Sequence, residues 1–439
     1  MSRSIRVLCV AGLWPFVCQA GLSLDEAIER DRALRFLEGT RASPAPLGIE
    51  GAARDGVVFA GGGPGDHVPP LLGPMVRGEG GGLRVRATRE LAGGGVRMRF
   101  GASVRAGDDH VADLDGSEAS ASAGSGRVYA SVERRHWGPS WTGSLILDAG
   151  SRPVPAIGWR KDDAQPFSPR WLSWLGPWRA DLFAGGLSQR TGPKHSHLIG
   201  GRLEIMPIDG LELAASRTMQ WGGSGRPESL GSLYRALIGD DNADSEGERA
   251  DEAGNQLAGF DFRYTLRLAG GRTVAVYGQA IGEDEAGGLP SRYLGSYGAD
   301  VAFTAGGVGW RAFVEHADTS VGGAIGKPKL GPAYRHHIYT DGYTQLGDPL
   351  GHPLGGDARL TSIGVFADAG RWTAALALHR GSAYTSSQLY GRSGRLSGAN
   401  AELAWQVTAA SRVGLAMSRW HDPQATRTRA QVWWEQALP

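Results

Sequence analysis

The sequence predicts an all-β fold: a transmembrane antiparallel β-barrel that crosses the membrane with its strands. Three observations predict it: a glycine-rich composition, an export leader, and alternating apolar and polar residues from about Leu83 onward. Glycine supplies 69 of 439 residues, far above the usual share of about 7%. Inside a helix each glycine costs roughly 0.8–1 kcal/mol relative to alanine, so a helical protein is disfavoured. There is no Gly-X-Y period, which excludes collagen. Mean hydropathy is −0.25, and past the leader no apolar run reaches the ~18 residues a spanning helix needs. Strands escape that test, because only alternate residues face lipid. The 46 basic and 45 acidic residues leave a net charge of +1, which argues against nucleic acid as a partner.

The leader comes first. Arg3 and Arg6 precede an apolar run from Val7 to Val17, and small residues follow at Cys18 and Ala20. That order is a secretory signal peptide, with cleavage expected after Ala20, so residues 1–20 are removed. Lipidation at Cys18 is the rival reading, but Pro15-Phe16-Val17 lacks the small residues expected there. Both cysteines, Cys9 and Cys18, fall in the leader, so the exported chain has no disulfide, thiol nucleophile or thiolate metal site.

Residues 21–82 differ from the rest and read as a helical and coil element. Ser23 stands three before Glu26, a capping-box spacing, ahead of Leu24, Ala27, Ile28, Leu34 and Leu37. The pattern predicts one amphipathic helix over about 24–38. The Pro- and Gly-rich stretch 43–82 predicts coil.

From Leu83 to the C-terminus the period becomes two. Val96, Met98, Phe100, Ala102 and Val104 share one face, and Arg97, Arg99, Gly101 and Ser103 the other. Val128, Ala130 and Val132 alternate with Tyr129, Ser131 and Glu133, and the pattern returns through Ala430, Val432 and Trp434. Roughly 16–18 such segments can be placed, the range of transmembrane barrels. A soluble sandwich or propeller would alternate too. Strand lengths of about 9–11 residues favour the membrane. So do the clusters Trp137/Trp141, Trp171/Trp174/Trp178 and Trp433/Trp434, which suit interfacial girdles. The chain ends Glu435-Gln436-Ala437-Leu438-Pro439 rather than on an aromatic, so either Leu438 substitutes or a short tail follows the last strand.

Catalytic signatures are sparse. The phosphate loop, the dinucleotide fingerprint and the Gly-x-Ser-x-Gly elbow are all missing. His195 and His197 would share a strand face but have no identifiable third ligand, and His336-His337 would point to opposite faces. The stretch Asp240 to Glu246 alternates oxygen ligands, yet as an EF-hand it has Ser245 where glycine belongs. Glu283-Asp284-Glu285 could pair as acid and base only at the separation a glycosidase needs. No catalytic residue, metal or cofactor is expected.

Beginning at His136-Trp137-Gly138-Pro139 and Trp141-Thr142-Gly143-Ser144-Leu145-Ile146-Leu147, the chain resembles the Wzi-type capsule assembly family of outer-membrane proteins. The resemblance continues through Trp174-Leu175-Gly176-Pro177-Trp178, Ser216 to Pro227, Gly239-Asp240-Asp241-Asn242, Gly254 to Asp261 and Ile281 to Gly288, then Pro290 to Gly295. It implies an 18-stranded barrel, residues 83–439, with the 21–82 element at its periplasmic end. It also implies a non-enzymatic, lectin-like role: attaching capsular polysaccharide or a related exopolysaccharide to the cell surface. Candidate polysaccharide-binding residues within the shared blocks are Trp137, Trp141, Arg217, Trp221, Arg226, Asp240, Asn242, Glu283 and Arg292. Aromatic faces can stack on sugars, and charged groups can bond their hydroxyls or acids. Expected partners are outer-membrane lipids and the barrel assembly machinery besides the polysaccharide, with the protein a monomer in the cell outer membrane. A porin-like sugar or polysaccharide channel is the alternative, since a barrel of this size can leave an aqueous lumen. An outer-membrane enzyme is the third.

Overall fold

The computed structural model describes residues 27, 30–31, 56–62, 82–106, 111–238, 254–283, 285–286, 289–290, 293–323 and 326–437. The leader lies outside them. The strands are β1 (Gly56–Gly62), β2 (Gly82–Gly93), β3 (Val96–Ala106), β4 (Val111–Asp113 with Glu118–Ala123), β5 (Gly126–Ser131) and β6 (Ala156–Pro166). Next come β7 (Pro177–Gly186), β8 (His197–Ile208), β9 (Leu211–Trp221), β10 (Gly254–Leu268), β11 (Arg272–Glu283) and β12 (Tyr293–Ala305). The last are β13 (Val308–Asp318), β14 (Ala358–Asp368), β15 (Trp372–Ala383), β16 (Gly394–Gln406), β17 (Ser411–His421) and β18 (Thr426–Ala437).

Each strand pairs antiparallel with its sequence neighbour. β1 pairs with β2 on one edge and with β18 on the other, Phe59 opposite both Val85 and Trp434. That double pairing closes the sheet on itself. The sheet counts 19 strands, but the two pieces of β4 share the neighbour β3, so the ring has 18 positions. β1 corrects the coil expected over 43–82: Gly-Val-Val-Phe-Ala-Gly-Gly supplies the closing strand. Its short apolar core was hidden among glycines and prolines. β18 runs to Ala437, past Trp434. Of the helix expected at 24–38, the described residues Ala27, Arg30 and Asp31 are helical and buried.

Met98, Phe100, Val128, Ile157, Leu182, Phe260, Ile363, Leu378, Leu415 and Val432 all point outward and are exposed, as a lipid-facing band requires. Polar side chains point inward: Arg99 pairs with Glu133, and Arg202 with Asp261 at 2.6 Å. One end of the barrel has tight turns. Gly94-Gly95 and Gly306-Gly307, all at positive φ, make two-residue hairpins whose twist only glycine adopts cheaply. The other end carries long connections, which in bacterial barrels face the cell exterior. Lipid-facing Trp171, Trp174, Trp372, Trp405 and Trp434 gather at the short-turn rim as a girdle. Trp137, Trp141 and Trp433 do not join it; all three are buried inside the barrel.

The interior also gives six of the glycines a role. Six inward aromatics each face an inward glycine directly across the ladder: Tyr129–Gly158, Phe183–Gly200, Tyr277–Gly298, Phe313–Gly364, Trp420–Gly398 and Trp433–Gly414. In each pair the ring lies where a Cβ on the glycine would stand. An aromatic ring covers the bare backbone and fills the lumen without clashing with its neighbour.

Candidate functional site

The 132–155 connection leaves β5 as an exterior-end loop and turns back into the lumen, where most of it is buried. It is the Trp-Gly-Pro-Ser-Trp-Thr-Gly block. Its backbone polar groups need partners away from water, and inward strand residues provide them. Glu315 on β13 accepts from the N–H groups of Trp141 and Thr142, from the Thr142 hydroxyl at 2.7 Å and from the Tyr277 hydroxyl at 2.8 Å. Gln279 on β11 accepts from Leu145 N–H at 2.7 Å and donates to the Trp137 carbonyl at 2.6 Å. Trp141 donates through Nε1 to Asp300 at 3.1 Å, and Arg263 and Arg311 bind the same carboxylate.

The N-terminal helical residues dock on this segment. Arg30 donates to the carbonyls of Gly138, Pro139 and Ser140, and its guanidinium stands 4.6 Å from the Trp141 ring. Asp31 pairs with Arg311. Trp141 is thus enclosed by Arg30, Arg311, Phe313 and Phe366. A second inward connection, 319–357, completes the plug. The Tyr334 hydroxyl donates to the Leu145 carbonyl at 2.6 Å, and Asp148 N–H to the Leu350 carbonyl at 2.7 Å. Tyr343 reaches Thr218 of β9 at 2.8 Å. Tyr334, Leu346 and Asp357 are held at positive φ, a strain that persists only where surrounding contacts impose it.

Burial shifts the titration of several groups in these connections, Asp148 and His352 among them. Burial raises the Asp148 carboxyl, against the pull of His136 and the Ser144 and Gly150 N–H groups. Burial, with nearby His136, lowers His352 to about 3. His352 Nδ1 accepts from Leu354 N–H at 3.3 Å, so protonation there opposes the fold. With the folded pKa below the ordinary ~6.5, the undocked loop takes the proton first. His352 therefore withdraws stability as pH falls from about 6.5 toward 3, by at most ~1.4 kcal/mol per pH unit. Asp148 works in the opposite sense, so the contribution of His352 is read by difference. Proteolytic opening of 319–357 should rise between pH 7 and pH 4 more steeply in the native protein than in His352→Gln. Equal slopes would reject this assignment.

The plug's outer surface is basic. Thr340 Oγ1 meets Thr191 Oγ1 at 3.1 Å, Asp341 accepts from Thr191 N–H at 2.9 Å, and Ser224 N–H donates to the Lys194 carbonyl at 2.8 Å. These contacts bring together the exterior-end loops that carry Arg190, Lys194, Arg226, Arg335, His336 and His337, with Arg226 near the His336–His337 pair. The His336 and His337 rings lie 4.5 Å apart, on a loop rather than a strand. His195 also precedes its strand, so it and His197 do not share a strand face. Among the described residues, Asp341 and Glu228 are the acids of these loops that are not buried, Asp348 and Asp357 of the 319–357 connection being buried.

The predicted residues thus separate. Trp137, packed edge-on against Phe183, and Trp141 are in the plug at 5% and 0% exposure, where no sugar arriving from outside can stack. Glu283 is buried on the inward face of β11. Arg217 and Trp221 point outward from β9 against the helix Leu230–Ile238, and Arg226 stands on the loop surface. Asp240, Asn242 and Arg292 lie outside the described residues, as does Asp284. Sequence reasoning missed Arg190, Lys194 and Arg335, single basic residues in loops without a motif. No cluster of three metal-ligating side chains occurs among the described residues.

The family model of capsule assembly protein Wzi matches residues 76–369. The chain belongs to that family. A Klebsiella pneumoniae relative, an uncharacterized 55.8 kDa protein of the cps region, is 42% identical over 187 residues. The match covers 42% of this chain and 36% of that relative. The solved structure of Escherichia coli Wzi is that of an outer-membrane, carbohydrate-binding β-barrel involved in group 1 capsule assembly. It superposes with a TM-score of 0.77 at 23% identity, covering 96% of this chain and 100% of that one. Acinetobacter baumannii OccAB1 gives 0.48 at 10% identity, over 87% and 95% of the two chains. The shared blocks thus belong to a Wzi-type barrel, and the first of them builds its plug.

Proposed function

We propose that the protein is a non-enzymatic, lectin-like outer-membrane protein that attaches capsular polysaccharide or a related exopolysaccharide to the cell surface. The observation that carries this is the basic, loop-built face of Arg190, Lys194, Arg226, Arg335, His336 and His337 above a plugged lumen. Guanidinium forks suit carboxylates of an acidic glycan. Trp137 and Trp141 support that face from within. The plug counts against a channel. Export by a cleaved leader, insertion by the barrel assembly machinery and a monomer in outer-membrane lipid belong to the same reading.

Deleting the gene tests it, with polymer measured in cell-bound and shed fractions. Total polymer should stay constant while the cell-bound share falls severalfold and returns on complementation. Loss of total polymer would point to synthesis or export and overturn the attachment reading.

A further inference from the structure

The helix Leu230–Ile238, in the connection from β9 to β10, does not fold over the lumen. On β9 the even positions Thr218 and Gln220 bond the plug, so Arg217, Met219 and Trp221 face outward. The helix packs on that outer wall: Ala236 and Leu233 lie against Met219, Trp221 and Ile199 of β8. Ser229 caps its first turn, accepting from Ser232 N–H at 3.1 Å. Arg217 closes the last, donating to the carbonyls of Leu237 at 2.7 Å and Ala236 at 3.2 Å, while Gln256 of β10 donates to Ala236 at 2.8 Å. Those carbonyls belong to the helix's last turn and carry the negative end of its dipole.

This clasp places an arginine on the barrel's outer wall, where bare lipid exposure costs about 2–4 kcal/mol at mid-depth and less near the interface. The helix shields it and presents Leu230, Tyr234 and Leu237 instead, spaced i, i+4, i+7 on one face and 85%, 63% and 45% exposed. The stripe continues the apolar band below it, where Leu203 of β8 and Phe260 and Phe262 of β10 also face outward and are exposed. Arg235 stands beside it, exposed.

We propose that Leu230–Ile238 is a lateral membrane anchor at the exterior rim, its Leu230-Tyr234-Leu237 stripe seated among acyl chains of the outer leaflet. It fixes the depth of the barrel at this point of the rim. The inference rests on the barrel lying in a membrane and not on glycan binding.

A nitroxide at Tyr234→Cys tests it, in full-length protein reconstituted in lipid vesicles. Cys9 and Cys18, the only cysteines, are first changed to serine. Phe260→Cys serves as the lipid reference and Ser224→Cys as the water reference. The label at 234 should resemble 260, with an oxygen-to-nickel-chelate accessibility ratio severalfold above that at 224. Adding Arg217→Ala should drop the ratio at 234 toward that of 224 while leaving 260 unchanged. Three results would overturn the proposal. One is a water-like ratio at 234 beside a lipid-like 260; another is indifference to Arg217→Ala; the third is dipolar broadening between labels, which would make the occupant a second copy. A water-like 260 would instead refute the membrane barrel itself.

Discussion

Asp300→Ala should weaken docking of the plug by about 3–5 kcal/mol, the usual consequence of removing one partner from a buried charge pair. Asp300 holds Arg263 through two bonds of 2.8 and 3.0 Å, Arg311, and Trp141 Nε1 at 3.1 Å. All of these groups are buried, so the alanine leaves two buried guanidiniums without the carboxylate they share. Asp31 remains as a partner of Arg311, but Arg263 loses the two bonds it makes to Asp300. Planar-bilayer recording reads the result directly. The native barrel should pass no steady current, and Asp300→Ala should show intermittent openings as the 132–155 segment detaches. Trp141→Ala alters only the inserted segment and should open the lumen without touching a strand. Silent recordings from both variants in correctly folded barrels would remove the plug assignment. A steady current through the native protein would favour the channel.

Gly414→Val should destabilise the barrel by about 1–3 kcal/mol or more, the range for overpacking a filled interior. A Cβ at 414 would lie 2.1–2.4 Å from three atoms of the Trp433 indole. That ring cannot turn aside cheaply: it is 1% exposed, donates to Glu402 at 3.1 Å and lies under Arg412. Heat-modifiable mobility on gels measures the change as a lower unfolding temperature. Gly370→Ala, in a turn where an added Cβ meets nothing, controls for glycine loss itself, although its positive φ brings a small strain of its own. Restoring stability in Gly414→Val with Trp433→Ala would identify the ring as the cause. Failure of that rescue would show that the ring-on-glycine fit is not what holds this wall.

Alternation made the strands legible because a two-sided environment forces a two-residue period. Val96 to Val104 and Val128 to Val132 took the outward and inward faces that alternation assigns them. β1 was missed because seven residues, four of them glycine or alanine at the ends, give too short a period to read. The tryptophans show a deeper limit. Trp137 and Trp171 both sit near strand ends, yet one is packed in the plug and the other in the lipid girdle. Which way a connection turns depends on inward partners such as Glu315 and Gln279, residues more than a hundred positions away. The same holds for Arg217: its residue type suits a glycan carboxylate, but its place on the outward face of β9 engages it with helix carbonyls.

By itself the sequence determined the all-β class, the strand faces and, through its family-like blocks, the resemblance to a capsule assembly barrel, and it raised the expectation of an export leader. These are local in origin, since composition and period are properties of neighbouring residues. Only the tertiary structure decided that β1 closes the ring, that 132–155 and 319–357 turn into the lumen and pack there, and that glycines lie opposite aromatics. It also decided that separate loops carrying basic side chains meet at one end of the barrel. Each of these depends on register between segments far apart in the chain, and a one-residue slip would reverse every face.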